Sequence, residues 1–425
     1  MDTFAAKFFA LFRQKASKLA FMVFLAIWLL AAITTPRTAP PRFASAVGEV
    51  STQPPEKPWF HRALLPAVAP SVHAASLAEL PDGRIAAAWF AGAREGAGDV
   101  RIVFSVFNPQ EAEWEFPKPI ANREQTIRDT HRSVRKLGNP VIYTHGQRLH
   151  LFYVSAGLGG WAGSSINHRY SDDLGEHWSG ANKLIVSPFL NISTLVRTSP
   201  IPMADGSLGL PVYHELGTKY GEWLKLTETA DVISKVRMPH PKATLQPSVV
   251  PLDEKRAIAF LRDASPENGQ IQVVQTEDAG EHWQAMEAAP MANPDASIAA
   301  IKLSDGSVLL AGNPGTGRET LELWLSDKTL KKWQKVKVFD GSEARISREN
   351  TSGNDNETSE PDSLPITCKK TDSAKRCQHY RELSYPALLQ TQDGHIHLAY
   401  TWHRKRIQVL SFNQAWLTQN MTTVP

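Results

Sequence analysis

Cysteine is nearly absent: Cys368 and Cys377 are the only two in 425 residues. That excludes a disulfide-rich scaffold and a four-cysteine zinc site. An excess of one charge is missing too. Lys plus Arg number 46 against 43 Asp plus Glu, for a formal net charge of +3, so bulk charge gives no reason to expect a nucleic-acid partner. Charged residues make up 21% and apolar residues 42%, which excludes an intrinsically disordered chain. Tryptophan is plentiful at 12 residues, and so are turn formers, with 26 Gly and 29 Pro. Such a composition suits short strands and tight turns, an all-β fold.

Long hydrophobic runs are lacking with one exception. Residues 19–33 carry no charge and follow Lys7, Arg13, Lys15 and Lys18. A basic stretch followed by an apolar one sends a chain to a membrane for export. Residues 1–35 therefore read as a signal peptide, with Ala44-Ser45-Ala46 available for cleavage, or as an uncleaved signal-anchor helix. Residues 36–65, with Pro36, Pro40, Pro41, Pro54, Pro55 and Pro58, read as a tether. The expected location is periplasmic or otherwise extracytoplasmic, with residues 19–33 as the membrane attachment if they are retained.

The remaining chain, 66–420, repeats. Ser171–Trp178 (SDDLGEHW) and Thr276–Trp283 (TEDAGEHW) share the pattern S/T-x-D-x-G-x-x-W, and Ser326–Trp333 keeps its two ends. The spacings imply units of roughly fifty residues, with a degenerate copy near Thr227. A second marker leads four of the units, Pro81-Asp82-Gly83, Ala204-Asp205-Gly206, Ser304-Asp305-Gly306 and Gln392-Asp393-Gly394, and His145-Gly146 and Leu252-Asp253 take its place in the other two. Asp-Gly supplies the left-handed positions of a tight hairpin, and an apolar strand follows each time. Units beginning near 70, 137, 194, 244, 296 and 381 make a six-bladed β-propeller. A polar insertion at 341–380 separates the last two and contains both cysteines, which export would allow to pair.

Ligands of a propeller sit on its axis, so ionisable residues near the inner strands are the candidates. Blade one offers His73 and then Arg94, Glu95 and Asp99 in a glycine-rich loop. Blade three offers Tyr213, His214 and Glu215. Blade four offers Gln246, Arg262 and Asp263, blade five Arg318, and blade six Glu382 and Tyr385. Converging arginines, carboxylates, a tyrosine and a histidine suit an anionic sugar. No metal site or cofactor is expected, since His395-Ile396-His397 has no Cys or carboxylate to complete it.

Over about residues 66–416 the chain resembles the sialidase (neuraminidase) superfamily, in particular its bacterial Asp-box, BNR-repeat branch of predicted neuraminidases. The likeness lies in the two boxes, in Arg318 after Asn313-Pro314, in Arg262 closing a blade-four strand, and in Tyr385-Pro386-Ala387-Leu388. The resemblance implies a retaining exo-glycosidase acting on a glycan that ends in sialic acid or a related acidic sugar; the chain is expected to be a monomer. The resemblance also implies Tyr385 as nucleophile and Glu95, with Asp99 beside it, as acid/base. Arg262 and Arg318 would hold the carboxylate. The family's first arginine corresponds to His73, and the glutamate that assists its tyrosine corresponds to Gln246. A protonated His73 would then complete the clamp, with activity falling as pH rises through about 6.5. Glu215 or Glu382 would assist Tyr385. Arg94 and Glu382 complete the expected lining. Two other readings remain open: a polysaccharide lyase on uronates using His73, Tyr385 and Arg262, and a non-catalytic carbohydrate-binding propeller.

Overall fold

The computed structural model describes residues 18, 21–23, 25, 26, 39–44, 57–187, 191–267, 269–315, 317–340 and 381–421. The segment up to Pro40 forms a unit of its own, in which residues 18, 21–23, 25 and 26 are helical. The rest of the expected signal or anchor lies outside the described residues, as do the insertion at 341–380, Cys368 and Cys377. Among the described residues no helix is long and apolar enough to cross a membrane.

From Pro41 onward the chain is a six-bladed β-propeller, as the repeats predict. The inner strands are Ser71–Glu79, Lys136–His145, Leu195–Val196 continued by Ile201–Pro202, Thr244–Pro251, Ala299–Lys302 and Leu383–Gln390. Each blade runs outward as an antiparallel meander. Regular helix is confined to Arg123–Thr130, Gln414–Asn420 and a single 3-10 turn at Gly160–Gly163 among the described residues of this unit.

The two markers behave as folding devices. Gly83, Gly206, Gly306 and Gly394 all take φ between 81° and 89°, the left-handed conformation their turns require. The two complete boxes have the same internal bonds. Ser171 Oγ donates to Asp173 Oδ1 (2.8 Å) and accepts from the Gly175 amide (2.9 Å), while Asp173 Oδ1 accepts from the His177 amide (2.8 Å). Thr276, Asp278, Gly280 and His282 repeat this at 2.9, 3.0 and 2.8 Å. Trp178 packs edge-on against Phe104, and Trp283 packs tilted against Trp223. The degenerate copy is also present: Thr227 Oγ1 accepts from the Asp231 amide at 2.9 Å.

Sequence reading misplaces the stretch 36–65 in part. Phe60–Leu64 is a strand, not tether. It pairs antiparallel with Arg406–Phe412, from Phe60 opposite Phe412 to Leu64 opposite Gln408, and so completes blade six with residues from the other end of the fold. Asn413 locks the junction. Its Oδ1 accepts from the Trp59 amide (3.0 Å) and caps the last helix at the Trp416 amide (3.0 Å). Phe43, also expected in the tether, is fully buried edge-on to Trp223. The apolar core is divided among the blade interfaces, with a buried cluster at each of the six. A fully buried aliphatic or aromatic side chain there contributes roughly 1.5–3 kcal/mol.

One polar pair sits inside this packing. His150 Nδ1 and His168 Nε2 lie 2.9 Å apart on neighbouring strands of blade two. Burial pushes them down to about 4 and about 3. The unfolded chain takes up these protons near pH 6.5, whereas the folded chain refuses them until the pH is far lower. Stability is therefore lost as pH falls from 6.5 through about 4 and 3, by on the order of a few kcal/mol. Thermal unfolding followed across that range should show a falling midpoint. The slope should flatten when His168 is replaced by Phe.

Candidate active site

Four inner strands carry the same irregularity. Ala74, Asn139, Gln246 and Tyr385 have φ of 58°, 44°, 50° and 54°, and strand register slips at each of these points. Such bulges re-aim a side chain. In three of them proline follows, as Asn139-Pro140, Gln246-Pro247 and Tyr385-Pro386. Proline has no amide to lose at a bulge and biases its predecessor away from right-handed helical backbone. A left-handed non-glycine residue costs on the order of 1–3 kcal/mol and persists where surrounding structure holds it.

The bulges at Asn139, Gln246 and Tyr385 bring these three side chains together around Tyr213. The buried Tyr213 hydroxyl accepts from Asn139 Nδ2 (3.0 Å) and from Gln246 Nε2 (3.4 Å). Gln246 Nε2 also donates to Tyr385 Oη (3.4 Å), and Gln246 Oε1 accepts from Arg262 Nη1 (3.1 Å). With Arg262 on its carbonyl, Gln246 turns its NH2 towards both phenols. It offers donors where a carboxylate would accept, so it takes no proton from Tyr385. Burial, with Tyr385 and Glu215 nearby, pushes the Tyr213 phenol up, which keeps it neutral.

Beside this network runs an alternating chain of charges drawn from four blades. Arg262 Nε donates to Asp295 Oδ1 (2.7 Å). Arg318 Nη2 donates to the Asp295 carbonyl (2.9 Å), and its Nη1 reaches Glu382 Oε1 (3.5 Å). Arg404 grips Glu382 with Nε (2.6 Å) and Nη2 (3.2 Å), and its Nη1 donates to Glu95 Oε2 (2.5 Å). Burial alone would raise Glu382, but Arg404, Arg318 and the Ser384 hydroxyl outweigh it and hold the carboxyl below its usual range.

The structure thus brings Glu95, Gln246, Arg262, Arg318, Glu382 and Tyr385 together. His73 joins them, its ring 4.1 Å from that of Tyr385, but not in the expected state. It is fully buried, and neither ring nitrogen has a hydrogen-bond partner. Burial, then Arg404, Arg318, Arg197 and Arg262, push it well below 6.5. The expectation of a protonated histidine clamp is corrected: this imidazole is neutral at ordinary pH. Glu215 lies at the edge of the network. Burial raises its carboxyl despite Arg262, and it makes no ion pair among the described residues. Asp99 and Arg94 are exposed and stand apart. Asp99 Oδ2 accepts from the Ala93 amide at 2.8 Å and braces the loop that carries Glu95. Arg94 reaches only the Glu95 carbonyl, at 3.5 Å.

Four participants went unread in the sequence: Arg404, Arg197, Asn139 and Asp295. Arg197 is fully buried under Tyr385. It donates to the carbonyls of Tyr385 (2.7 Å), Pro386 (3.0 Å) and Ala75 (3.2 Å), tying the bulges of blades six and one. The recurrence of X-Pro in inner strands was the signal that would have found Asn139. Nothing local marks the other three.

A BNR repeat-like domain model matches residues 83–398, most of the chain, and the protein belongs to this family. No curated protein matches it. Among solved structures it is similar to the Hadza microbial sialidase Hz136, at 13% identity and TM-score 0.60, covering 81% of this chain and 66% of that one. It is also similar to the leech intramolecular trans-sialidase, at 12% and 0.60, covering 83% and 69%. A protein of unknown function from Dyadobacter fermentans matches at 12% and 0.60, covering 83% of this chain and 99% of that one. At such identities the likeness speaks for the fold.

Proposed function

We propose that the protein is a retaining exo-glycosidase that releases a terminal acidic sugar, sialic acid or a close relative, from a glycan. The observation that carries this reading is the row of Arg262, Arg318 and Arg404 beside Tyr385. Three guanidinium groups in one pocket suit a carboxylate, and a phenol is the nucleophile least repelled by a carboxylate-bearing anomeric carbon. In the first step Tyr385 Oη bonds to the anomeric carbon and gives its proton to Glu215. Glu215 is the carboxylate left for this task, since Gln246 donates and Glu382 is held by two arginines. The glycosidic oxygen leaves with a proton from Glu95. Water then attacks the anomeric carbon, gives its proton to Glu95, and displaces the phenolate, which recovers its proton from Glu215.

A second reading, uronate lyase, draws support from the neutral His73 against Tyr385, because an unprotonated imidazole is the form a base requires. A panel of aryl sialosides and uronate-containing oligosaccharides separates the two. The proposal expects release of free acidic monosaccharide. A product that gains far-ultraviolet absorbance through a new C=C bond would support the lyase instead, and binding without turnover would support a lectin-like propeller.

A further inference from the structure

The carboxylate of Glu95 has one bonded partner among the described residues, Arg404 Nη1. The other donors of Arg404 that point inward, Nε and Nη2, are occupied by Glu382. A guanidinium presents five N–H donors as a fixed fork, and three of those on Arg404 are taken by these two acids, so a ligand carboxylate that seeks Arg404 competes with them. Glu382 is the poorer candidate to yield. Its side chain is 17% exposed, and Arg318 and Ser384 Oγ (2.6 Å) hold it as well. Glu95 is 36% exposed and stands on a loop whose base is pinned by Asp99. Rotation about its own side-chain bonds frees Arg404 without backbone movement.

We infer that Glu95 is a built-in occupant of the acid-group subsite, filling Arg404 until the carboxylate of an acidic sugar displaces it and frees it to serve as proton donor. This rests on the proposed glycosidase reading. While Arg404 Nη1 holds its Oε2, that oxygen is not free to meet a glycosidic oxygen. A neutral sugar leaves that pair intact, and selection for an acidic substituent then acts on the chemical step as well as on binding.

Removing the proposed proton donor should tighten the hold on an acid. The test is calorimetric binding of N-acetylneuraminic acid, its methyl ester and galacturonic acid to the full chain and to Glu95→Gln, with thermal unfolding to confirm that both are folded. Glu95→Gln should bind one of the free acids about fivefold more tightly than wild type, the scale of one partly exposed ion pair, and should bind the ester no better. Equal or weaker binding of the acid by Glu95→Gln, where wild type binds it, overturns the inference and leaves the glycosidase reading standing. An equal gain for acid and ester also overturns it, because the effect would then not be competition between carboxylates. Failure of both proteins to bind either acid overturns the reading itself, and the inference with it.

Discussion

Tyr385→Phe is expected to lower kcat on an aryl sialoside by on the order of 10³-fold or more while leaving binding of the free acid within about twofold. The phenol oxygen is the only atom removed. The bulge that presents it is held from below by Arg197, whose bonds run to backbone carbonyls, so the ring should keep its place. The arginines that hold the acid group keep their partners Asp295, Glu382 and Glu95, and Gln246, which links Arg262 to the phenol, keeps its bond to Tyr213. Stopped-assay kinetics and calorimetry on the same preparation give both numbers. A variant that keeps a tenth of wild-type kcat would remove Tyr385 from the nucleophile's role.

The second large effect distinguishes Arg404 from His73. Arg404→Lys keeps the charge but loses the fork that reaches Glu382 and Glu95 together, and acid binding should weaken about tenfold or more. His73→Ala should change acid binding by less than about threefold, since the imidazole carries no charge to contribute. The pH profile follows with the same sign. A group held well below its ordinary value has already lost its proton near pH 6.5, so no loss of acid binding should appear as pH rises through about 6.5. A loss centred there, absent from His73→Ala, would restore the histidine clamp. The burial that raises Glu215 sets the other limb. A base must be deprotonated, so kcat/KM should climb with pH through a value above the ordinary carboxylate range.

What could be read from the sequence was what is local. Asp-Gly turns and the two boxes fix blade number because each closes on itself within eight residues, through bonds such as Ser171 to Gly175. Arg262, Arg318, Gln246, Glu382 and Tyr385 were legible because they stand on or beside strands whose place in a blade the repeat already sets. Arg404 was not. It lies in the turn between the second and third strands of blade six, where His403 and Arg404 both adopt left-handed backbone, at 50° and 55°. Asn-Gly is the usual signature of such a turn, and neither residue supplies it. Phe60–Leu64 reads as tether because its partner strand, Arg406–Phe412, is at the far end of the chain. The charge state of His73 is a property of its surroundings, four arginines and complete burial, which belong to several blades and leave no mark beside residue 73.

The most direct test of the glycosidase reading is the stereochemistry of the first product. An aryl sialoside is incubated with the protein, and the released sugar is followed by proton NMR before its anomers equilibrate. A double displacement through Tyr385 predicts that the free sugar appears first with the anomeric configuration of the substrate linkage. First appearance of the opposite anomer, or of an unsaturated sugar in its place, would contradict the mechanism built on Tyr385.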